Sequence, residues 1–195
     1  MKNLFKAGAF VIIYVVGFSF TGIYSNGIIS SKSVYTDTQY VCMPCGSSCD
    51  NMVYTQAGIC SHCNMKLVDK NSVKFHNIEP DVVCSFIADM GKNNVVLLDV
   101  RTAEEFNGTA TEKFGRLAGA INIPVQQLEK RMGELNKFKN KQIIVYCSHS
   151  HRSPRASYML MQKGFTQVTN MEYGMSEWKN KVKPTACNNK LYIKQ

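Results

Sequence analysis

A cysteine and an arginine flank the part of the sequence in which the residue types point most directly to chemistry. Cys147 follows a run of β-branched and aromatic residues at positions 143–146, a composition that predicts a fully buried strand. Arg152 lies five positions further on, and the polar residues between them are Ser148, His149, Ser150 and His151. The thiol is therefore predicted to lie at the carboxyl end of a strand, where a loop begins.

A helix is predicted to begin directly after this loop. Ser153 is a candidate N-cap, and Pro154 suits the first helical position. The helix is expected to run to Lys163 and to end at Gly164. The amide groups of a tight loop and the amino terminus of a helix both attract an anion. With the guanidinium of Arg152 nearby, the cysteine is expected to be a thiolate that acts as a nucleophile or carries an anionic sulfur. The structural alternative is a core cysteine that merely ends a buried strand.

The elements that must position this loop alternate along the chain. Strand-like runs are found at 73–78, 93–99, 143–146 and 167–169. Helical segments separate them, and this alternation predicts an α/β fold, with a parallel sheet flanked by helices on both faces. In such sheets, ligands bind beyond the carboxyl ends of the strands, which is where Cys147 is expected. Asp99 ends the second strand and is expected to hold the following turn through hydrogen bonds.

Taken together, these segments resemble the rhodanese-like sulfurtransferases. The stretch from Tyr146 to Ser157 is similar to the active-site loop of that family, Cys-x-x-Gly-x-Arg-Ser. Other similar stretches are Asp-Val-Arg at 99–101, Ala-Gly-Ala-Ile-Asn-Ile-Pro at 118–124 and Gly-Met-Ser-Glu-Trp at 174–178. The resemblance covers about residues 74–184 and implies the rhodanese-like form of the predicted sheet.

The resemblance also implies roles for individual residues. Cys147 would carry sulfur as a persulfide and Arg152 would support its charge, so these two are the expected catalytic residues. The residues implied to surround the substrate are Ser148, His149, Ser150, His151 and Ser153. Asp99 and Arg101 are implied to lie behind the loop, with Arg101 adding to the field that attracts an anion. No cofactor is expected for catalysis.

The length of the loop and its departures from the family pattern both bear on its chemistry. Four residues separate Cys147 from Arg152, whereas phosphate-binding loops of this kind use five, and this disfavours a phosphatase or an arsenate reductase. Ser150 stands where glycine is usual, so a positive φ at this position would cost about 1 kcal/mol or more. His149 and His151 are additions that either tune the thiolate, bind a metal with it, or are solvated loop side chains.

A cysteine-rich segment precedes the main domain. Two Cys-x2-Cys pairs separated by 14 residues have the spacing of a small zinc ribbon, and their members are Cys42, Cys45, Cys60 and Cys63. So short a module needs a metal or disulfides to fold. It resembles the short heavy-metal-binding domains of metal-efflux proteins, with Asn64 in place of a glycine. A structural zinc or another soft metal is expected, with disulfides as the alternative, and Cys49 is a fifth thiol without an assigned place.

The amino terminus predicts export. A basic start is followed by an apolar stretch at 7–24, which indicates a signal peptide or a membrane anchor that faces the periplasm or the extracellular side. Cys84 is expected to be an ordinary core or surface residue, whereas Cys187 in the tail is either a free thiol or a disulfide partner. The predicted organisation is a signal or anchor at 1–25, a linker at 26–39, the cysteine-rich module at 40–70, the main domain at 71–184 and a tail at 185–195.

The charge pattern restricts the partners. The net charge is +9, but the basic residues are scattered, so nucleic-acid binding is not expected. A positive potential would instead attract small anionic sulfur donors. The predicted function is a sulfurtransferase of the cell envelope that moves sulfur from a donor such as thiosulfate to a thiol or cyanide through a Cys147 persulfide. The alternative is a metal- or redox-binding protein whose main domain is an inactive scaffold.

Overall fold

A computed structural model describes residues 38–195 of the protein. The predicted signal or anchor at 1–25 lies outside these residues, as does nearly all of the predicted linker at 26–39. Within the described part, no helix is both long enough and apolar enough to span a membrane.

The cysteine-rich module is built on a small antiparallel sheet. Its strands are β1 (Tyr40–Cys42), β2 (Val53–Tyr54) and β3 (Leu67–Asp69), with β1 in the middle. A short 3-10 helix, Ser48–Asn51, follows the first cysteine pair, and another, Lys70–Ser72, leads out of the module. The interior of the module is made mainly of cysteine sulfur and of Leu67. So little apolar surface gives weak support to a fold, which agrees with the expectation that the module needs a cross-link.

A five-stranded parallel sheet forms the centre of the main domain. Its strands are β4 (His76–Ile78), β5 (Val95–Asp99), β7 (Ile121–Asn122), β8 (Gln142–Tyr146) and β9 (Val168–Met171), in the order β4-β9-β8-β5-β7. The short strand β6 (Arg116–Leu117) stands apart from this sheet. All residues of the central strand β8 are buried, as the sequence predicts.

Helices cover both faces of the sheet. They are α1 (Val83–Met90), α2 (Ala103–Asn107), α3 (Val125–Arg131), α4 (Arg152–Gln162), α5 (Gly174–Lys181) and α6 (Ala186–Leu191). Further 3-10 turns span Pro80–Val82, Lys92–Asn94 and Met132–Phe138. The predicted α/β fold with a covered parallel sheet is confirmed.

Strand β8 explains why both faces need a cover. Successive side chains of a strand point to opposite faces, so Ile143 and Val145 enter one apolar cluster with α3 and α4. Ile144 and Tyr146 enter the other cluster, which also contains residues of α1 and α5. Each such side chain contributes about 1.5–3 kcal/mol when it is fully buried. The loop after β8 therefore extends from the most strongly anchored strand of the sheet.

The carboxyl-terminal segment is folded onto the main domain. Strand β10 (Tyr192–Ile193) pairs antiparallel with β6, and a disulfide joins Cys84 of α1 to Cys187 of α6. The sequence leaves the state of Cys187 open and assigns Cys84 no partner, and the structure pairs the two across 103 positions. Closing a loop of that length removes about 4–5 kcal/mol of chain entropy from the unfolded state.

Candidate active site

Cys147 lies directly after β8, with 1% of its surface exposed. Its Sγ lies 3.5 Å from the hydroxyl of Ser153, in the first turn of α4. The predicted N-cap at Ser153 is wrong. Helix α4 already begins at Arg152, and the Ser153 side chain faces the thiol instead of capping the helix. The other end of α4 agrees with expectation, because Lys163 closes the helix and Gly164 has a φ of 85°.

The amino terminus of α5 fixes the orientation of the first peptide units of the loop. Met175 N–H donates to the Cys147 carbonyl (2.9 Å), and Ser176 N–H donates to the Ser148 carbonyl (3.0 Å). In a trans peptide unit the N–H points opposite to the C=O, so the N–H groups of Ser148 and His149 are directed away from α5.

Gly174 makes this arrangement possible. Its φ is 69°, and a Cβ at this position would overlap the carbonyl oxygens of Cys147 and Ser148. Only a residue without a side chain allows the start of α5 to approach the loop this closely. The glycine in the Gly-Met-Ser-Glu-Trp stretch therefore serves the geometry of the loop directly.

Arg152 is held in the loop by Glu105 from α2. Arg152 Nη1 donates to Glu105 Oε2 (2.6 Å), and Nη2 donates to Oε1 (2.7 Å), which makes a two-pronged ion pair. The Ser148 hydroxyl donates to the same Oε1 atom (2.8 Å). One carboxylate thus ties together the beginning and the end of the cysteine loop.

Glu105 also closes the amino terminus of its own helix. Its side chain accepts from Thr102 N–H, while the Thr102 hydroxyl accepts from Glu105 N–H, which is a capping box. Burial alone would raise the pKa of Glu105, but hydrogen bonds from Arg152, Thr102 and Ser148 together lower it to about 2. The Glu105 carboxylate in turn raises the pKa of Arg152, to which the Cys147 sulfur also contributes. Sequence reasoning assigned Glu105 no role, although the pattern Thr-x-x-Glu at 102–105 was a visible signal for the capping half of it.

Ser150 adopts a left-handed backbone conformation. This was a possibility because Ser150 stands where the family pattern has glycine. Its φ is 58°, and its hydroxyl accepts a hydrogen bond from Asn170 Nδ2 (3.3 Å) at the end of β9. Asn170 also donates to Asn77 Oδ1 of β4 (3.0 Å). The adjacent His149 ring meets the ring of Phe114 edge to face at 5.1 Å. Neighbouring elements therefore hold the loop on two sides.

Asp99 and Arg101 form a buried pair at the carboxyl end of β5. Arg101 Nη2 lies 2.7 Å from Asp99 Oδ2, and both side chains are almost fully enclosed. The same nitrogen donates to the Gly115 carbonyl (2.9 Å), and the Asp99 carboxylate accepts from Arg101 N–H. Asp99 thus holds the turn after β5, as expected. The expected contribution of Arg101 to the field that attracts an anion stays a prediction. The Asp99 carboxylate lies 2.7 Å from the guanidinium and offsets much of its charge.

The cysteine-rich module brings four sulfur atoms together. They belong to Cys42, Cys45, Cys49 and Cys63, and all lie within 4.8 Å of one another. Cys49, which the sequence left without a place, is in this group, and Cys60 of the expected set is not. The Cys60 sulfur instead lies 3.6 Å from the Tyr54 hydroxyl. The module cysteines are free thiols in the described residues, so the disulfide alternative is not the state seen here.

The four sulfur atoms are close enough together to hold a tetrahedral cation. Zinc–sulfur bonds of about 2.3 Å place the sulfur atoms of a tetrahedral site about 3.8 Å apart. The Cys42–Cys63 and Cys45–Cys49 separations are 3.1 and 3.6 Å. Burial and neighbouring thiols raise the pKa of Cys42, and burial first of all raises that of Cys49 to about 12. A bound cation would reverse both shifts, because it stabilises thiolates.

Asn64 shapes the second cysteine pair. It has a φ of 57°, and its N–H donates to the Cys60 carbonyl (2.9 Å). Asparagine tolerates this conformation better than most residues, which explains why it can replace the glycine of the metal-domain pattern.

The sequence is similar to a known domain family and to several known proteins. The sequence matches the rhodanese-like domain family over residues 85–181. It is 37% identical over 93 residues to an uncharacterised protein, YqhL, of Bacillus subtilis, which is 48% of this chain and 68% of that protein. It is 28% identical over 103 residues to a sulfurtransferase of Allochromatium vinosum, which is 53% of this chain and 87% of that protein.

A solved structure and several longer relatives are also similar. A rhodanese-related protein of Thermoplasma volcanium is 26% identical, with a TM-score of 0.44, over 56% of this chain and 96% of that one. Three tRNA uridine(34) hydroxylases match with 25% to 36% of their own length. The similarity to these longer proteins is therefore confined to one part of each.

Proposed function

The chain belongs to the rhodanese-like family, and on this premise we propose that it transfers sulfane sulfur through a persulfide on Cys147. The observation that carries the proposal is the arrangement around the thiol. Helix α5 takes up the Cys147 and Ser148 carbonyls, so the adjoining amide groups face the other way, and Glu105 holds Arg152 at the end of the loop. A terminal sulfur anion on Cys147 would be stabilised by these donors.

The proposed reaction has two displacement steps. The Cys147 thiolate attacks the outer sulfur of thiosulfate, the S–S bond of the donor breaks, and sulfite leaves with the electron pair. The outer sulfur of the resulting persulfide is then attacked by a thiol or by cyanide. The Cys147 thiolate leaves, and the products are a new persulfide or thiocyanate. Electrons balance between donor and acceptor, so no redox cofactor is required.

The ion pair of Arg152 supports sulfur transfer over phosphate chemistry. Both terminal nitrogens of the guanidinium donate to Glu105 at 2.6 and 2.7 Å. A phosphatase loop would instead need that two-pronged face for the phosphate oxygens. Here Arg152 acts as a brace and as a nearby positive charge, which suits a singly charged sulfur atom.

We extend the proposal to thiosulfate-type donors and to the cell envelope. The predicted export segment, the Cys84–Cys187 disulfide and the net charge of +9 support it. Disulfides persist in oxidising compartments, and a positive protein attracts anionic donors. Small anionic donors and thiol acceptors are the proposed partners.

A structural zinc ion or another soft cation is proposed for the cysteine-rich module. Cys42, Cys45, Cys49 and Cys63 would hold it. The ion would contribute folding free energy and no step of the sulfur transfer, because four thiolates complete its coordination.

Thiocyanate formation from thiosulfate and cyanide tests the proposal. The wild-type protein is expected to turn over, and Cys147→Ser is expected to be inactive because it lacks the thiolate. The double variant Cys84→Ser/Cys187→Ser is the matched control, since it removes two cysteines away from the loop and should retain activity. Turnover that is indifferent to Cys147→Ser would contradict the proposal and favour the cysteine-rich module as the working part.

A further inference from the structure

The cysteine-rich module touches the cysteine loop of the main domain at one point. Gly46, directly after the first cysteine pair, has a φ of 74° and is otherwise exposed. A Cβ at Gly46 would overlap the Ser150 carbonyl oxygen and stand 2.7 Å from the Ser150 carbonyl carbon. It would also lie 3.2 Å from the His151 Cα. The two backbones therefore pack without space for a side chain.

A polar contact accompanies this packing. The Nδ1 atom of His151 lies 3.3 Å from the carbonyl oxygen of Cys45. A carbonyl oxygen can only accept, so the contact requires the histidine tautomer with its proton on Nδ1. The Cys45–Gly46 turn thus contacts both residues that precede Arg152 in the loop.

Asp50 holds the Cys45–Gly46 turn in shape. Its carboxylate accepts from Cys45 N–H (2.9 Å) and from Gly46 N–H (2.7 Å). The Cys45 thiol lies 3.2 Å from the same carboxylate, and Cys49 on the next turn belongs to the four-sulfur group. The turn is therefore held by contacts within the module as well as by the loop that it meets.

The loop requires support of this kind. Ser150 is held at a φ of 58°, which costs about 1 kcal/mol or more for a residue with a side chain. Such a conformation persists only where surrounding contacts impose it. Asn170 restrains the Ser150 side chain from the sheet, whereas Gly46 restrains its backbone from the opposite module.

We propose that the Cys45–Gly46 turn is a positioning element of the sulfur-transfer site, which braces Ser150 and His151 so that the loop keeps its shape around Cys147. The effect of the turn on turnover rests on the proposed function. The bracing of the loop by the module is inferred from the contacts alone. The main domain is therefore expected to need the module for full activity although the module supplies no reacting atom.

Three alanine variants of the full chain test the proposal. Gly46→Ala places a methyl group against Ser150. Gly58→Ala is the control within the same module, since its Cβ would meet nothing closer than Leu67 Cδ1 at 4.0 Å. Gly119→Ala is the control for backbone strain, because its φ is 77° but nothing lies within 4 Å of its Cβ. The readouts are metal content, kcat and KM for thiosulfate, and amide hydrogen exchange of the peptide that contains residues 147–152.

The expected result separates positioning from folding. Gly46→Ala should keep the metal content of the wild type, lower kcat/KM at least tenfold and speed hydrogen exchange in the loop at least tenfold. Both control variants should stay within twofold of the wild type in the loop. If Gly46→Ala does not fold, Asp50→Asn is used instead, because it weakens the turn without adding a side chain at the contact, and a threefold or larger increase in loop exchange is expected.

Loop exchange that is the same in Gly46→Ala as in the two controls would overturn the proposal, as would unchanged loop exchange in a folded Asp50→Asn. A wild-type protein that fails to turn over thiosulfate would contradict the proposed function instead. Hydrogen exchange needs no turnover, so the two failures can be told apart.

Discussion

Replacing Glu105 by glutamine keeps the shape of the side chain but removes the negative charge that binds Arg152 in the cysteine loop. In the wild type the carboxylate accepts two hydrogen bonds from Arg152, one from Ser148 and one from Thr102 N–H. The amide of glutamine has one acceptor oxygen in place of two. The two-pronged ion pair is lost, and the Arg152 charge stays half-buried without its partner.

The pKa of Glu105 gives the size of the stability loss expected for Glu105→Gln. Its lowering from the ordinary 4.5 to about 2 corresponds to an upper bound of about 3 kcal/mol at neutral pH. The side chains of Arg152 and Glu105 are 28% and 20% exposed, so solvent screening reduces this. The expected loss of unfolding free energy at pH 7 is about 2 kcal/mol. Because the pKa is lower in the folded state, the contribution is complete above about pH 4.5 and is lost as the pH falls towards 2.

Urea unfolding at pH 7, 5, 4 and 3 measures this loss. The difference in unfolding free energy between wild type and Glu105→Gln is expected to be constant from pH 7 to 5. It should narrow below pH 4.5, because the carboxyl of the unfolded wild type takes up its proton there while the folded carboxyl stays ionised. Glu104→Gln is the matched control, because Glu104 is exposed on the same helix and makes no ion pair in the described residues. It should change stability by no more than about 0.5 kcal/mol. Equal stability of Glu105→Gln and wild type at pH 7, or a stability difference that does not change with pH, would show that the Glu105 charge does not stabilise the fold.

Three further predictions address other parts of the structure. Gly174→Ala should lower the unfolding free energy measured in urea by about 3 kcal/mol or more, because the new Cβ overlaps two loop carbonyls. Gly164→Ala is the control: its φ is also positive, at 85°, but nothing lies near its Cβ, so it should cost about 1 kcal/mol. Reduction of the disulfide should lower stability by about 2–5 kcal/mol, and a Cys84→Ser variant should not respond to the reductant. Cys49→Ser should lower the metal content of the purified protein more than Cys60→Ser does, since Cys49 belongs to the four-sulfur group; equal metal content would contradict that grouping.

Much of the fold could be predicted because its signals are local. The buried character of β8 follows from its β-branched and aromatic residues, and the place of Cys147 follows from the point at which that run stops. The covered parallel sheet follows from the alternation of strands and helices. The conformation of Ser150 could be anticipated only as a condition, since the resemblance showed where glycine is usual but not that the backbone there is left-handed.

The features that could not be predicted depend on contacts between distant parts of the chain. Glu105 and Arg152 are 47 positions apart, and Cys84 and Cys187 are 103 apart, so nothing local connects them. The choice of Cys49 over Cys60 depends on how the 3-10 turn Ser48–Asn51 directs its sulfur. The local signal for an N-cap at Ser153 was misleading, because closure of the loop makes Arg152 helical already.

Intact-protein mass spectrometry after incubation with thiosulfate is the sharpest test for a persulfide on Cys147. We expect a single adduct of about 32 Da on the wild-type chain, located on the peptide that contains Cys147. Cyanide should remove this adduct, and Cys147→Ser should lack it. A wild-type chain that gains no such mass, or a Cys147→Ser variant that gains it equally, would rule out sulfur transfer through Cys147.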